Sequence, residues 1–403
     1  MIFSAIRFTA AATGAMLLAA SPAFAQKPAG KDPVPSILMW TPAQQLERYP
    51  AIEKTYQVSA IAKGPTVRAL PTSAKPINPK IPYNGRTYAI DAFMKDNRIS
   101  GVLVIKDGEI VLEKYALGRK PEDRWTTFSV AKSLTSILIG AAIKDGWIDS
   151  VYDPVTRYLP ELKGTGYDGV SLHRLMSMTT GVKWNEDYAN PKSDVAMAST
   201  GAFRGGHPVG DNPLLNYMTT LKSEAAPGSK WVYKTGETDL AGLVLTRALV
   251  GKSMSQYASE KLWAPFGMEQ DAVWMLDKAG IERGGCCMSA ILRDYGRIGM
   301  FLLGGGEIDG KPVLTDGYLD KATANRIPTE SRGKDQSYGY FWWPRVDGAG
   351  YAARGIFGQG IEIYPEENMV IVVNSAMIKA SDRVQSAKLT ALTQTLRAAA
   401  NGD

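Results

Sequence analysis

Residues 125–148 of this 403-residue chain read WTTFSVAKSLTSILIGAAIKDGWI, and their apolar pattern governs the interpretation of the segments around them. Apolar residues recur there at helical spacing, at Val130, Leu134, Ile137, Leu138 and Ala141. The pattern predicts a helix with candidate N-caps at Thr126 and Thr127. Gly146 is the natural C-cap, because glycine readily adopts the left-handed conformation that ends many helices.

Ser129 and Lys132 form an S-x-x-K pattern at the start of this helix. The three-residue spacing places both side chains on one helix face, about one turn apart. A serine hydroxyl becomes a good nucleophile when a neighbouring base takes its proton, and burial lowers the pKa of a lysine towards that role. The amide of Ser129 can also serve an oxyanion hole. Alone, the pattern is equally compatible with a capping serine and a lysine that extends to solvent.

Strand signals flank this helix towards both ends of the chain. Residues 101–118, GVLVIKDGEIVLEKYALG, predict a hairpin that turns at Asp107-Gly108. Strand-like runs after residue 337 predict a second hairpin around residues 365–368, and an amphipathic helix follows over roughly residues 381–399. These signals predict an antiparallel sheet flanked by helices.

The middle of the chain carries helical patterns. Helices are predicted at residues 152–162, with Asp153 as the cap and Pro154 in the first turn, at 171–178, and at 236–251. Strands at both ends around a helical middle predict an α+β fold. The sheet domain is assigned to residues 83–150 and 284–403, and an inserted all-helical domain to residues 151–283.

The N-terminus has the features of an export signal. Arg7 precedes an apolar stretch that ends in small residues before Gln26, so residues 1–25 are predicted to be a cleaved signal peptide of a periplasmic or secreted protein. No later stretch approaches the roughly 20 apolar residues of a membrane span. Residues 26–82 are rich in proline and lysine and are predicted to form an arm that lies on the domain.

Charge, histidine and cysteine usage exclude several function classes. The net charge of +6 comes from scattered basic residues, which argues against a nucleic-acid partner. The two histidines, His173 and His207, are too few for a histidine-rich zinc site, and neither is expected to act in a Ser-His-Asp triad. Cys286 and Cys287 are adjacent and cannot link distant segments. We predict two buried reduced cysteines, with a vicinal disulfide as the alternative.

Residues 231–238, WVYKTGET, contain a Lys-Thr-Gly triplet of the kind that serine β-lactamases and penicillin-binding proteins carry on a strand beside the nucleophile. Here the triplet runs into a helical pattern, so we predict a loop that ends at a helix start. Tyr233 is then the informative residue, because a phenol delivered towards Ser129 and Lys132 can relay a proton to the leaving group. The alternative is a half-buried aromatic with a hydrogen-bonded hydroxyl.

Five ordered blocks resemble the class C β-lactamase-like serine hydrolases, a family that includes carboxylesterases, D-aminopeptidases and 6-aminohexanoate-dimer hydrolases. The blocks are FSVAKSLTSILIGAAIKDGWI, YDPVTRYLPEL, LHRLMSMTTGVKWNEDY, YKTGETDLAGLVL and GQGIEIYPEENMVIVV. The resemblance runs from about residue 82 to the C-terminus, and the 6-aminohexanoate-dimer hydrolase branch is the most similar. It implies a β-lactamase/penicillin-binding-protein-like fold.

The resemblance also implies roles for individual residues. They are the acylated nucleophile Ser129, its base partner Lys132, the proton-relaying Tyr233, the oxyanion-hole amides of Ser129 and Ile356, and the substrate-binding residues Gly355 and Tyr188. No metal or organic cofactor is needed for this chemistry. Which of Lys132 and Tyr233 is the general base stays open, because strongly coupled groups titrate as a unit.

Two departures from the class C β-lactamase pattern narrow the function. The tyrosine motif ends in Thr235 rather than Asn, and Ala353 and Arg354 replace the cation and hydroxyl of the strand triplet. Both disfavour efficient β-lactam hydrolysis and favour a serine hydrolase that cleaves small linear amides or esters. The alternatives are a D-alanyl peptidase or β-lactamase-type hydrolase, and a catalytically idle protein that binds peptidoglycan fragments.

Overall fold

The computed structural model describes residues 36–200, 212–324, 327–328 and 337–402. The predicted signal peptide and His207 lie outside these residues. Within them, no helix is both long enough and apolar enough to cross a membrane.

Four α-helices of the described residues are long, and the others are short. The α-helices are α1 Pro42–Arg48, α2 Ile90–Asp96, α3 Val130–Lys144, α4 Leu172–Met176, α5 Asp194–Thr200, α6 Pro213–Met218, α7 Thr235–Ala248, α8 Met254–Ala258, α9 Ala264–Phe266, α10 Leu292–Leu303, α11 Tyr318–Thr323 and α12 Arg383–Asn401. The long ones are α3, α7, α10 and α12. Single 3-10 segments occur at Ile37–Met39, Tyr49–Lys54, Val155–Arg157 and Pro160–Leu162, and a π-helical turn at Ser259–Trp263.

The strands of the described residues form antiparallel sheets. They are β1 Val58–Ile61, β2 Lys80–Tyr83, β3 Arg86–Ala89, β4 Ile99–Lys106, β5 Glu109–Tyr115, β6 Trp125–Thr126, β7 Ala272–Met275, β8 Met288–Ala290, β9 Glu307–Ile308, β10 Lys311–Pro312, β11 Ile327–Pro328, β12 Ser337–Tyr338, β13 Trp343–Pro344, β14 Tyr351–Gly355, β15 Gln359–Tyr364 and β16 Met369–Ser375. The main sheet has six strands in the order β13-β14-β15-β16-β4-β5.

Helices cover both faces of the six-stranded sheet. Alternate side chains of β4 point to opposite sides: Leu103 and Ile105 join the core that contains α3 and α10, whereas Val102 and Val104 join the core that contains α2 and α12. Period-two alternation of apolar residues with both faces buried explains why β4 is apolar throughout. The layered α+β architecture with an antiparallel sheet agrees with the fold predicted from sequence.

Both predicted hairpins are present. Strands β4 and β5 turn at Asp107-Gly108, where both residues have positive φ (53° and 84°), as a type I′ turn requires. Strands β15 and β16 turn at residues 365–368, where Asn368 has a φ of 46°. The final helix, α12, follows at the predicted place and packs against β2, β4 and β16.

A second sheet connects the N-terminal arm to the region of Ser129. Its strand order is β1-β7-β8-β6, so the arm strand β1 pairs with β7, and β6 lies directly before α3. The prediction that residues 151–283 are all-helical is therefore wrong, because the apolar run AVWM is too short for a helix and forms the buried strand β7. The division of the chain into an arm and two domains stays a prediction.

The structure corrects two of the predicted helices. Helix α3 begins at Val130, not after Thr126 or Thr127, because Thr126 belongs to β6. Its end is as predicted, since Gly146 has a φ of 78° just beyond the last turn. The helix predicted over residues 152–162 is replaced by two 3-10 turns, because Pro160 has no N–H to continue an α-helix.

The remaining corrections concern Asp153 and the cysteines. A carboxylate oxygen of Asp153 accepts hydrogen bonds from the Ser150 amide (3.3 Å) and the Tyr158 hydroxyl (2.6 Å), and does not cap an α-helix. Cys286 and Cys287 form a vicinal disulfide, which is the alternative to the reduced pair that we predicted.

Candidate active site

Ser129 occupies the N-cap position of α3, a helix whose residues are buried from Val130 to Ala142. Its side chain makes no capping hydrogen bond to the helix. Lys132 is only 1% exposed, and its Nζ donates a hydrogen bond to Ser129 Oγ at 3.1 Å. The alternative in which Ser129 caps the helix and Lys132 extends to solvent is therefore wrong.

Three oxygen atoms surround the Lys132 amine. Besides Ser129 Oγ, Nζ donates to Thr235 Oγ1 at 3.1 Å and to the Gly285 carbonyl at 2.6 Å. Burial lowers the pKa of Lys132 to about 8, although Glu186 and Asp239 oppose the shift by stabilising the ammonium. With this pKa, about a tenth of the lysine is neutral at pH 7 and about half at pH 8.

Glu186 is a site residue that our sequence analysis missed. Its carboxylate accepts hydrogen bonds from the Thr235 amide (3.0 Å), the Thr235 hydroxyl and the Tyr188 hydroxyl (2.7 Å), and also from the Trp184 indole. The Thr235 hydroxyl thus links the Lys132 amine to this carboxylate. The block WNEDY contained the signal, because it places a carboxylate two residues before Tyr188.

The Lys-Thr-Gly triplet lies at the start of α7, as the sequence predicted. Lys234 is the N-cap residue, and its side chain turns into the core to pair with Glu237 at 3.3 Å. Both side chains are fully buried, and the Thr180 hydroxyl also donates to Glu237. Burial raises the pKa of Glu237 to about 7, while Lys234 acts in the opposite direction. The Lys234 side chain therefore forms a buried ion pair away from the cleft, and Thr235 faces Lys132.

Tyr233 lies beside Lys132 within an aromatic cluster. The Lys132 Nζ is 5.3 Å from the centroid of the Tyr233 ring. The ring stacks on Trp343, with centroids 5.8 Å apart and an interplanar angle of 23°, and contacts Tyr338 edge-on. The structure thus brings Tyr233 to Lys132 and holds its ring in a fixed orientation.

Strand β14 delivers Gly355 and Ile356 to the other side of Ser129. A Cβ atom on Gly355 would lie 2.3 Å from the carbonyl oxygen of Thr127, so only glycine allows this approach. Ile356 follows and lines the same cleft as Ser129. Ala353 is buried, whereas Arg354 is exposed, with its guanidinium 5.8 Å from the centroid of the Trp343 ring.

Two consecutive glycines explain how the Gly285 carbonyl reaches Lys132. A Cβ atom on Gly284 would lie 2.6 Å from the Thr238 carbonyl, and one on Gly285 would lie 2.8 Å from the Thr235 carbonyl. Asp239 fixes the same segment, because its carboxylate accepts from the Gly285 amide at 2.8 Å. The sequence pointed to this approach only through the Gly-Gly pair.

The cleft has two branches that meet at Ser129, Tyr188 and Ile356. One branch, of about 280 Å³, runs along β14 and α12 and includes Tyr233 and Arg354. The other, of about 580 Å³, is mainly apolar and is lined partly by arm residues, Ile37, Leu38 and Tyr56, together with Phe128 and Met275. A linear molecule can therefore extend to both sides of the Ser129 hydroxyl.

Comparison with known proteins places this geometry in a family. The Beta-lactamase family model matches residues 88–394. A 6-aminohexanoate-dimer hydrolase of Paenarthrobacter ureafaciens is 31% identical over 282 residues, which cover 67% of this chain and 70% of the relative.

Solved structures show the same fold. A Bacillus anthracis protein, a proposed 6-aminohexanoate-dimer hydrolase, superposes with a TM-score of 0.77 at 23% identity, covering 89% of this chain and 94% of its own. A D-stereospecific amidohydrolase from Streptomyces superposes with a TM-score of 0.56 at 17% identity, covering 75% and 95%. The chain described here therefore belongs to the beta-lactamase family of serine hydrolases, and it has the β-lactamase/penicillin-binding-protein-like fold.

Proposed function

We propose that this chain hydrolyses small linear amides or esters through an acyl-enzyme on Ser129. The observation that carries the proposal is the fully enclosed Lys132 amine, 3.1 Å from Ser129 Oγ and with a pKa lowered to about 8. A lysine in this state is a base of suitable strength at neutral pH. A protein that only bound its ligand would gain nothing from an amine that is so costly to bury.

Acylation begins when Ser129 Oγ attacks the carbonyl carbon of the substrate and its proton passes to the neutral Lys132 amine. The new C–O bond places negative charge on the former carbonyl oxygen. The amides of Ser129 and Ile356 are the proposed donors to that oxyanion, and they lie at the junction of the two branches of the cleft.

Collapse of the tetrahedral intermediate breaks the bond to the leaving amine or alcohol, which must gain a proton as it departs. Tyr233 is the proposed relay, since its ring lies against the Lys132 amine and lines the cleft. Water then attacks the acyl-enzyme, and Lys132 with Tyr233 takes its proton and returns one to Ser129 Oγ. The cycle needs no group beyond these side chains, the two amides and water.

The two branches of the cleft support a linear substrate. An aliphatic segment fits the apolar branch beside Phe128 and Leu38, and a polar segment fits the branch that contains Arg354. Such a substrate is chemically similar to the 6-aminohexanoate dimer named for the Paenarthrobacter relative. D-alanyl peptides and β-lactams are the competing substrates, and Ala353 and Arg354 in the strand triplet count against β-lactams.

The test is Ser129→Ala, with Ser136→Ala as the matched control. Ser136 is buried on the same helix and bonds the Tyr318 hydroxyl at 3.1 Å. Ser129→Ala should abolish hydrolysis of p-nitrophenyl butyrate and labelling by a fluorophosphonate probe, while Ser136→Ala keeps both. Activity in folded Ser129→Ala would refute the proposal.

A screen of 6-aminohexanoate dimer, D-alanyl peptides and nitrocefin ranks the substrate classes. A wild-type protein that turns over none of these compounds would indicate a catalytically idle binding protein.

We also propose that the protein is exported to the periplasm or the medium. The support is the charged, apolar and small-residue pattern of residues 1–25. N-terminal sequencing of protein recovered from those fractions should give Gln26 as the first residue. Recovery of the full-length chain from the cytoplasm alone would contradict this.

A further inference from the structure

The N-terminal arm packs against the candidate active site and lines part of its cleft, although it precedes residue 88, where the match to the family model begins. Strand β1 anchors the arm by pairing with β7. Gln45 donates to the Met377 carbonyl at 3.3 Å, and Arg98 donates to the Pro42 carbonyl at 2.9 Å. These contacts fix the position of the arm relative to both strands and helices of the sheet domain.

Tyr49 is the arm residue that contacts Phe128, the residue directly before Ser129. It is fully buried, and its ring contacts Trp40 of the arm (5.9 Å between centroids) and three aromatic rings beyond the arm: Trp125 (5.6 Å), Phe128 (5.3 Å) and Phe357 (6.2 Å). Phe128 and Phe357 also contact each other at 5.0 Å. Tyr49, Phe128 and Phe357 therefore form a closed aromatic trio.

The two phenylalanines flank the proposed oxyanion donors. Phe128 directly precedes Ser129, and Phe357 directly follows Ile356. Both have positive φ angles, 48° and 61°, which bulky side chains rarely adopt. Such a conformation persists only where surrounding contacts hold it in place. The trio supplies these contacts from one side, and Tyr49 is its only member that comes from the arm.

We propose that Tyr49 is a positioning residue that sets the spacing of the Ser129 and Ile356 amides through Phe128 and Phe357. The inference rests on the proposed function, because the spacing matters only if the two amides bind an oxyanion. Oxyanion donors must lie within a few tenths of an ångström of their working distance, so loss of the ring acts on the transition state more than on substrate binding. The arm is then part of the catalytic apparatus.

The ring, and not the hydroxyl, is the effective group. The Tyr49 hydroxyl is buried beside the Gln45 side chain, which also bonds the Met377 carbonyl and Arg98. Gln45 keeps its bonds to Met377 and Arg98 when the hydroxyl is removed, so Tyr49→Phe keeps the trio intact. Tyr49→Leu keeps an apolar side chain but removes the aromatic ring that contacts both phenylalanines.

The experiment measures kcat and KM for p-nitrophenyl butyrate together with the thermal midpoint of unfolding. Tyr49→Leu should lower kcat by about 10- to 100-fold with KM changed by less than about threefold, because the oxyanion forms only after substrate binds. Tyr49→Phe should stay within about twofold of wild type. Ile61→Ala is the matched control, because Ile61 is a fully buried residue of arm strand β1 outside the trio, and it should lower the thermal midpoint but not kcat.

An unchanged kcat in folded Tyr49→Leu would overturn the proposal, and so would an equal loss in Ile61→Ala or a loss confined to KM. If Tyr49→Leu does not fold, Phe357→Leu perturbs the trio from the opposite side and should show the same loss of kcat. The results distinguish a failure of the proposed function from a failure of the positioning role of Tyr49. Wild-type protein that is inactive and unlabelled by the fluorophosphonate probe rejects the proposed function, whereas active wild type with equally active Tyr49→Leu rejects only the positioning role.

Discussion

Glu186→Gln tests whether the carboxylate behind Thr235 controls the Lys132 amine. One hydroxyl separates the two groups, so their charges lie roughly 5 Å apart and interact by about 3 kcal/mol at an effective dielectric of about 20. Glu186 is only half-buried, so solvent screens the interaction between the two charges. The remaining effect on the pKa of Lys132 is about one unit. Glu186 stabilises the ammonium, so its neutralisation should lower that pKa from about 8 towards 7.

The assay is the pH profile of kcat/KM for p-nitrophenyl butyrate, which reports the ionisation of the free enzyme. If neutral Lys132 is the required form, activity rises with pH through the lysine pKa. The acidic limb should then lie near pH 8 in wild type and about one unit lower in Glu186→Gln. Asp187→Asn removes a neighbouring exposed charge and should leave the limb in place. An acidic limb of the kcat/KM profile that is unchanged or shifted to higher pH in Glu186→Gln would refute the reasoning.

Three further substitutions test other parts of the site. Thr235→Val removes the hydroxyl that Lys132 and Glu186 share. It should lower kcat/KM by about 10- to 100-fold, because hydrogen bonds to charged groups contribute about 1.5–3 kcal/mol. An unaltered kcat/KM would exclude a role for the hydrogen bonds through Thr235. Gly355→Ala forces β14 away from Thr127 and should lower kcat about 100-fold, whereas Gly304→Ala, whose Cβ would have no atom closer than 3.5 Å, should not. Lys234→Met leaves Glu237 buried without its cation, so urea unfolding should show a loss of about 3–5 kcal/mol; equal stability would show that the pair is unimportant.

Local patterns were sufficient for the elements that carry Ser129 and the central sheet. The apolar spacing of α3 and the Asp107-Gly108 turn are signals contained within a few neighbouring residues, and both lead to the observed structure. The helix predicted over residues 152–162 was wrong because the interruption by Pro160 outweighed the apolar spacing. The triplet at Lys234 was correctly separated from a strand because the helical pattern that follows it is strong.

The site residues that the sequence did not predict depend on contacts between distant segments. Glu186 reaches Thr235 across 49 positions, and Lys132 reaches the Gly285 carbonyl across 153. Tyr49 meets Phe357 across an even longer stretch of chain. No local pattern encodes such pairings, and the pKa of Lys132 depends on the burial that they create. Sequence therefore indicated which chemistry to expect, but not the groups that tune it.

The pairing of β4 with β16 has a consequence for biogenesis. Ile105 of β4 lies opposite Val370 of β16. During synthesis β4 therefore emerges more than 260 residues before the strand with which it pairs. Until then the β4-β5 ribbon presents a long apolar edge with unsatisfied backbone groups, a surface on which nascent chains aggregate. Closing so large a loop is slow, and the polypeptide stays loosely organised while it is synthesised. The export proposed above would benefit from that delay, because a channel that takes unfolded polypeptides could accept this one before its sheet forms.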